Sequence, residues 1–365
     1  MKPEYASSDT SPGIVRLATL FKKRLSCGIL FLIVFSTAAC AHRPPSGTEV
    51  PLVWPGPPDE PKIQYLSAIR SGSDINATRS TSPEIIDGLR KPYGVAVDSD
   101  GRIYVTDSGR VLFFDRNKLT SGSFGYVEGE GKLVEPIGIA VSKDGRVFVT
   151  DVVAGRVMVF STDGKPRGGV GRVGDFTSPA GIALDETGKK IYVVDSKKHR
   201  VNVYSLKDYS FLYTFGSRGT SGEGKFNFPT NVAVDSKGNL YVVDTGNFKV
   251  QVFDRNSAYV KSIGKAGDLP GTMARPKGIA IDSEDHIYVV DAAFQNVQVF
   301  NGEGKLLIAF GKGGLGPGDF TLPAGLTIDS KDRIYVVDQW PGNVQLFQYL
   351  KEQPAEQGMQ RGGKP

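Results

Sequence analysis

Six aspartates stand at equivalent places along the chain: Asp107, Asp151, Asp195, Asp244, Asp291 and Asp338. Each ends an apolar run such as Ile103-Tyr-Val-Thr-Asp107 or Ile287-Tyr-Val-Val-Asp291, and their numbering sets them 44, 44, 49, 47 and 47 residues apart. Carboxylates gathered on one face of a repeat protein would suit a cation. Two features oppose that chemistry. A basic or amide residue stands just before each following apolar run (Arg110, Arg156, Arg200, Lys249, Asn296 and Asn343). Aspartate also commonly caps turns by accepting backbone N–H groups. The pattern predicts a structural Asp–turn–Arg/Asn latch made six times over.

Other reactive types are scarce. The chain has three histidines, of which only His199 and His286 lie beyond the first proline-rich stretch, so a three-histidine zinc site cannot be assembled. Gly311-Lys-Gly-Gly314 has no helical pattern after it, which removes the mechanism of a phosphate loop. No Ser-His-Asp order or nucleophile elbow is visible, and the expectation is no catalytic residue, metal or cofactor. The turns Thr245-Gly-Asn-Phe248, Ala292-Ala-Phe-Gln295 and Gln339-Trp-Pro-Gly342 instead carry Phe248, Phe294 and Trp340. Grouped aromatic rings are common anchors for partners. His199, in Lys197-Lys-His-Arg200, reads as an exposed loop residue and joins them as a candidate contact. His286 reads as a solvent-facing turn residue.

These residues need positioning elements, and the sequence supplies one unit six times. Pro92-Tyr-Gly-Val-Ala-Val-Asp98 recurs from Pro136, Pro179, Pro229, Pro276 and Pro323. After a polar turn comes the apolar run that ends in Asp. A third run follows, for example Val250-Gln-Val-Phe253 or Val297-Gln-Val-Phe300, then a weaker fourth such as Phe211-Leu-Tyr-Thr-Phe215. Four short strands per repeat of this length is the pattern of a propeller blade. The second run is apolar throughout, so both its faces must be covered, as stacking between blades achieves. The 45 glycines and 22 prolines fit many tight turns, and the glycine-rich connectors read as flexible turns.

The sequence Pro-x-Gly-Ile-Ala-Val-Asp, then Tyr-Val-Val-Asp, then Val-Gln-Val-Phe resembles the NHL repeat across residues 92–347. The resemblance implies an all-β, six-bladed β-propeller with four-stranded blades. It also brings to mind the α-amidating lyases, NHL-like propellers that hold zinc through histidines; the histidine count here argues against that activity. The sixth repeat lacks a fourth strand, whereas Lys62-Ile-Gln-Tyr-Leu-Ser-Ala-Ile-Arg-Ser71 is an orphan strand upstream. Closure is predicted by this N-terminal strand completing the last blade and covering its open edge.

The first residues carry a different message. Lys22-Lys-Arg24 precedes the apolar run Gly28-Ile-Leu-Phe-Leu-Ile-Val-Phe35, then Thr37-Ala-Ala-Cys40. The run is short for a bilayer span and suits an export signal. With its small residues and cysteine it resembles a bacterial lipobox, which implies cleavage after residue 39 and acylation of Cys40. Ala41 at the next position favours the outer membrane by the same family rule. Residues 40–61, rich in proline, read as an extended tether with Trp54 as a packing contact; 62–350 form the propeller and 351–365 a polar tail. Net charge is +5, but residues 1–39 hold five basic and two acidic groups, which leaves about +2 on the remainder. That balance and the export signal oppose nucleic-acid binding. The expected role is a monomeric, envelope-anchored, non-catalytic scaffold offering a loop face to a protein, peptide or glycan partner. The alternative is a lyase or hydrolase, with or without a metal, working at the mouth of the central channel.

Overall fold

The computed structural model describes residues 51–76, 79–80 and 88–351. The segment read as an export signal, Cys40 and the tail beyond Lys351 lie outside the described residues. Six mainly antiparallel sheets follow one another along the chain, and the first three strands of each blade run outward in sequence order. Blade three is representative: Pro179–Asp185 is innermost, then Lys190–Asp195, Arg200–Ser205 and Phe211–Phe215. The innermost strands of neighbouring blades touch, and Pro323–Ile328 of the sixth blade meets Val95–Val97 of the first. The ring is closed with six blades.

Burial explains why the second run of each repeat is so uniformly apolar. Ile103–Asp107, Leu240–Asp244 and Ile287–Asp291 are buried at every residue. Each has a strand on either side and a sheet packed on either face, so water reaches neither face. The core is divided into six clusters, each spanning a blade boundary; one joins Tyr288, Val290 and Phe310 of blade five to Leu326, Val336 and Phe347 of blade six. The repeated glycine of the inner strand answers to this packing. A β-carbon on Gly325 would overlap the Tyr93 carbonyl oxygen, and one on Gly94 would overlap that of Ile137. Blades approach the axis so closely there that only blade four, with Asn231, carries a side chain at this position.

The N-terminal strand closes the sixth blade as expected. Ile63–Ile69 pairs antiparallel with Asn343–Tyr349, with a bulge between Tyr65 and Ser67. The tether boundary at residue 61 is corrected, because Val53–Trp54 pairs with Gln64 and Ile63 as a fifth strand. The Trp54 ring lies 6.0 Å from Phe310 and 5.8 Å from Phe347, which makes it the packing contact anticipated. At the other end Lys351 Nζ pairs with Asp332 at 2.9 Å.

The glycine-rich connectors are ordered, not flexible turns. Ser217–Arg218 pairs in parallel with Lys225–Phe226, and matching bridges join Ala266 to Met273 and Gly313 to Phe320. The glutamine of the third strand explains how they are held. Gln251 Oε1 accepts the Gly224 N–H at 3.1 Å, while its Nε2 donates to the Lys225 carbonyl at 2.8 Å. Gln298 and Gln345 clamp the next two connectors in the same way. The Gln in Val-Gln-Val-Phe is thus a fold residue.

Candidate functional site

In every blade the turn between second and third strands opens on the same side as the connector to the next blade, because an even number of strand reversals separates them. One face of the propeller therefore carries both sets of loops. The six aspartates lie buried beneath it, each no more than 1% exposed. Their oxygens are occupied by the chain itself. Asp195 accepts the N–H groups of Thr177 and Ser178, both at 3.0 Å, and Asp291 accepts those of Ala274, Arg275, Ala293 and Phe294. Burial pushes the Asp244 and Asp338 carboxyls up from the usual range. No cluster of metal-ligating side chains occurs among the described residues.

The latch differs in detail from the one read in the sequence. Only Arg110, among the described residues, forms an ion pair with its own aspartate, Nη2 to Asp107 Oδ2 at 3.1 Å. Arg156 and Arg200 reach past theirs and donate to the carbonyls of Lys132 and Asp175 in the preceding connector. The Oδ1 atoms of Asn296 and Asn343 have no partner. Each aspartate thus ties its connector to the blade through backbone amides.

His199 is corrected outright. It is 6% exposed, its Nδ1 accepts the Phe228 N–H at 3.1 Å, and its ring lies 4.6 Å from the Phe228 ring. It is a support under the surface and not a surface contact. His286 is half-buried, with Nδ1 2.9 Å from Asp282 Oδ2, so it too serves a turn on the opposite face. Of the three aromatic candidates, Trp340 is 62% and Phe248 39% exposed, while Phe294 is half-buried. They occupy different positions in their turns. Phe248 takes the left-handed position, at φ 57°, that His199 and Gln295 also hold and that Gly155 and Gly342 occupy in other blades; Phe294 falls one residue earlier and Trp340 two.

The structure adds residues that the repeat pattern hid. Phe228, just before Pro229, is 51% exposed and also holds a left-handed backbone, φ 50°. Its connector is bonded to the turn bearing Phe248, through Gly246 N–H to the Asn227 carbonyl at 2.8 Å. Bulky side chains rarely adopt this conformation, and each costs about 1 kcal/mol or more to hold. Across the face Val134 and Val153, 50% and 62% exposed, line a concavity of about 450 Å³ with Lys91, Tyr93 and Gln339. The central channel, about 310 Å³, is lined by the inner strands of all six blades. Lys277, the residue after the repeated proline, holds in blade five the place that channel-lining Tyr93 and Ile137 hold in blades one and two. It is 8% exposed, and its Nζ lies 5.7 Å from the centre of the Tyr93 ring. Burial, with help from nearby Arg275, pulls its ammonium down to about 8. The sequence offered one signal for it: Tyr93, Ile137, Ala180, Thr230 and Ala324 fill the equivalent place, so Lys277 is its single cation.

Comparison with known proteins agrees with the architecture. The 6-bladed beta-propeller family model matches residues 130–216 and 283–352, and the NHL repeat model matches 89–110 and 226–253. NHL repeat-containing protein 3 of Mus musculus is 37% identical over 103 residues, 28% of this chain and 29% of that protein. The human protein of that name is 36% identical over the same shares. The match thus spans under a third of those relatives. Among solved structures, a Bacteroides thetaiotaomicron protein of unknown function superposes with a TM-score of 0.59 at 16% identity, over 79% of this chain and 75% of that one. Virginiamycin B lyase from Staphylococcus aureus does so with 0.53 at 12% identity, over 79% and 99%. At such identities the likeness is one of fold. The protein is a six-bladed β-propeller, and two of its segments, 89–110 and 226–253, match the NHL repeat.

Proposed function

We propose that this propeller is a non-catalytic binding scaffold whose loop-bearing face docks a protein or peptide partner in the cell envelope. The observation that carries this reading is the concentration of exposed apolar side chains there: Phe228, Phe248 and Trp340, with Val134, Val153 and Leu315, all lie in connectors or second-to-third-strand turns. Large apolar patches on soluble folds mark interaction sites. Aliphatic side chains among the rings suit a protein surface better than a glycan. The fold supports the role, since the frame holds the connectors by their backbone groups and leaves their side chains free to vary. Acylation at Cys40 would hold the body at the membrane, the outer one by the lipobox rule. More than one acyl chain gives stable attachment.

The test replaces Phe228, Phe248 and Trp340 together by alanine in the full chain and crosslinks it in membranes, with mass spectrometry of the captured species. Loss of capture from a protein of unchanged melting temperature is expected. Equal capture by the variant and the parent would discard the docking face. Cys40→Ser should release the protein into the soluble fraction; retention on the membrane would refute the anchor.

A further inference from the structure

Lys277 has no obvious structural duty. Burying a lysine is costly unless an anion accompanies it. Yet no carboxylate pairs with its ammonium among the described residues, and its one side-chain interaction is with the face of the Tyr93 ring. The geometry is specific. Lys277 belongs to blade five and Tyr93 to blade one, so the side chain passes blade six, whose equivalent residue is the fully buried Ala324, to reach its aromatic neighbour. Tyr93 itself lines both the central channel and the concavity under Gln339. Arg275, two residues earlier and exposed, adds a second cation close enough to affect both Lys277 and Tyr93. The result is two positive groups, one of them desolvated, at the centre of a face ringed with apolar side chains.

We propose that Lys277 and Arg275 form an oxyanion site at the mouth of the central channel, which receives a carboxylate or phosphate group carried by whatever docks on this face. An ammonium already stripped of most of its water has little further desolvation to undergo when an anion arrives. The face of the Tyr93 ring stands 5.7 Å from the ammonium and fixes where the charge sits. Blade six carries Ala324 at the intervening position, which leaves room for the crossing. This rests on the reading that the loop face is the docking face, and it supplies that face with a chemical preference.

The test needs no partner. In the full chain, lysines are reductively methylated with ¹³C-formaldehyde and the dimethyl-lysine signals are followed during titration with sodium acetate, sodium phosphate and sodium chloride. The Lys277 signal is assigned by its loss in Lys277→Met. A saturable shift of that signal with acetate identifies a carboxylate site, and one with phosphate identifies a phosphate site. Chloride at equal ionic strength should leave it in place. Arg275→Gln should weaken the effect about tenfold, the scale of one charge-assisted hydrogen bond. A signal that does not move with either oxyanion, or moves equally with chloride, overturns the site. Because no partner is present, this failure is separable from failure of the docking face: crosslinking could still succeed with no anion bound, and the reverse.

Discussion

Closure by the N-terminal strand carries a prediction that separates packing from mere chain presence. Ile63 is fully buried in the strand Ile63–Ile69 and belongs to the core between blades five and six, where Tyr65 also meets Phe347 at 5.5 Å. Leu66, three residues on, is 41% exposed on the same strand. Truncating a buried isoleucine to alanine costs about 2–5 kcal/mol, the lost transfer energy plus the cavity left behind. For a domain of this size that amounts to a fall of about 5–15 °C in melting temperature. Leu66→Ala should stay within about 0.5 kcal/mol of the parent. Deletion of residues 62–70 removes Ile63 and Ile69 together and exposes the edge of Asn343–Tyr349, so it should consume most of a stability that is only about 5–15 kcal/mol in all. Calorimetry on the three variants decides the matter. If Ile63→Ala melts with the parent, or no lower than Leu66→Ala, the strand is an ornament and the ring is closed by other contacts.

Four further outcomes follow from the same geometry. Asp291→Ala strips four backbone N–H groups of their acceptor and should cost about 3 kcal/mol in denaturant titration, with no change on adding or chelating divalent cations; cation-dependent stability in the parent would revive a metal role. Gly325→Ala drives a β-carbon into the Tyr93 carbonyl and should cost about 3 kcal/mol or more, while Gly302→Ala meets nothing within 4 Å and should be near neutral; equal effects would refute the close approach of the blades. His199→Ala leaves the Phe228 N–H without its acceptor and should cost about 1–3 kcal/mol, whereas His199→Asn should recover part of that loss; no effect of either would return His199 to the surface. Lys277 in the folded protein gives up its proton near 8, against 10.5 ordinarily, so between those values the unfolded chain binds the extra proton and stability rises with pH. From pH 7 to 9.5 the parent should gain about 2 kcal/mol relative to Lys277→Met, with Arg275 and Tyr93 facing the group in both proteins; parallel curves would show a lysine in water.

Period and composition were enough to read the blades, because each blade obeys local rules that repeat. The apolar second strand, the proline at the start of the first and the aspartate at the turn each have one physical cause, and six copies make the cause visible. Closure was legible for the same reason, since a blade short of one strand must find it elsewhere. What stayed hidden depends on contacts between repeats. His199 looks like any lysine-flanked loop residue until the connector of the next blade brings Phe228 across it. Trp54 was readable as a packing residue, but its pairing as a fifth strand was not, because two residues carry no period.

The same distinction bears on function. Repetition marks what every blade needs, so a repeated residue such as the six aspartates or the clamping glutamines is explained by the fold. Function must be sought where the repeat is broken on the loop-bearing face. Two breaks there carry a physical cost: Phe228 in a left-handed backbone just before its proline, and Lys277 buried where its equivalents are neutral. A fold with six chances to place an ordinary residue at each site has kept the expensive one. That cost is recovered if a partner covers the rings and an oxyanion meets the lysine, which is why both experiments address residues outside the repeat consensus and leave the blades untouched.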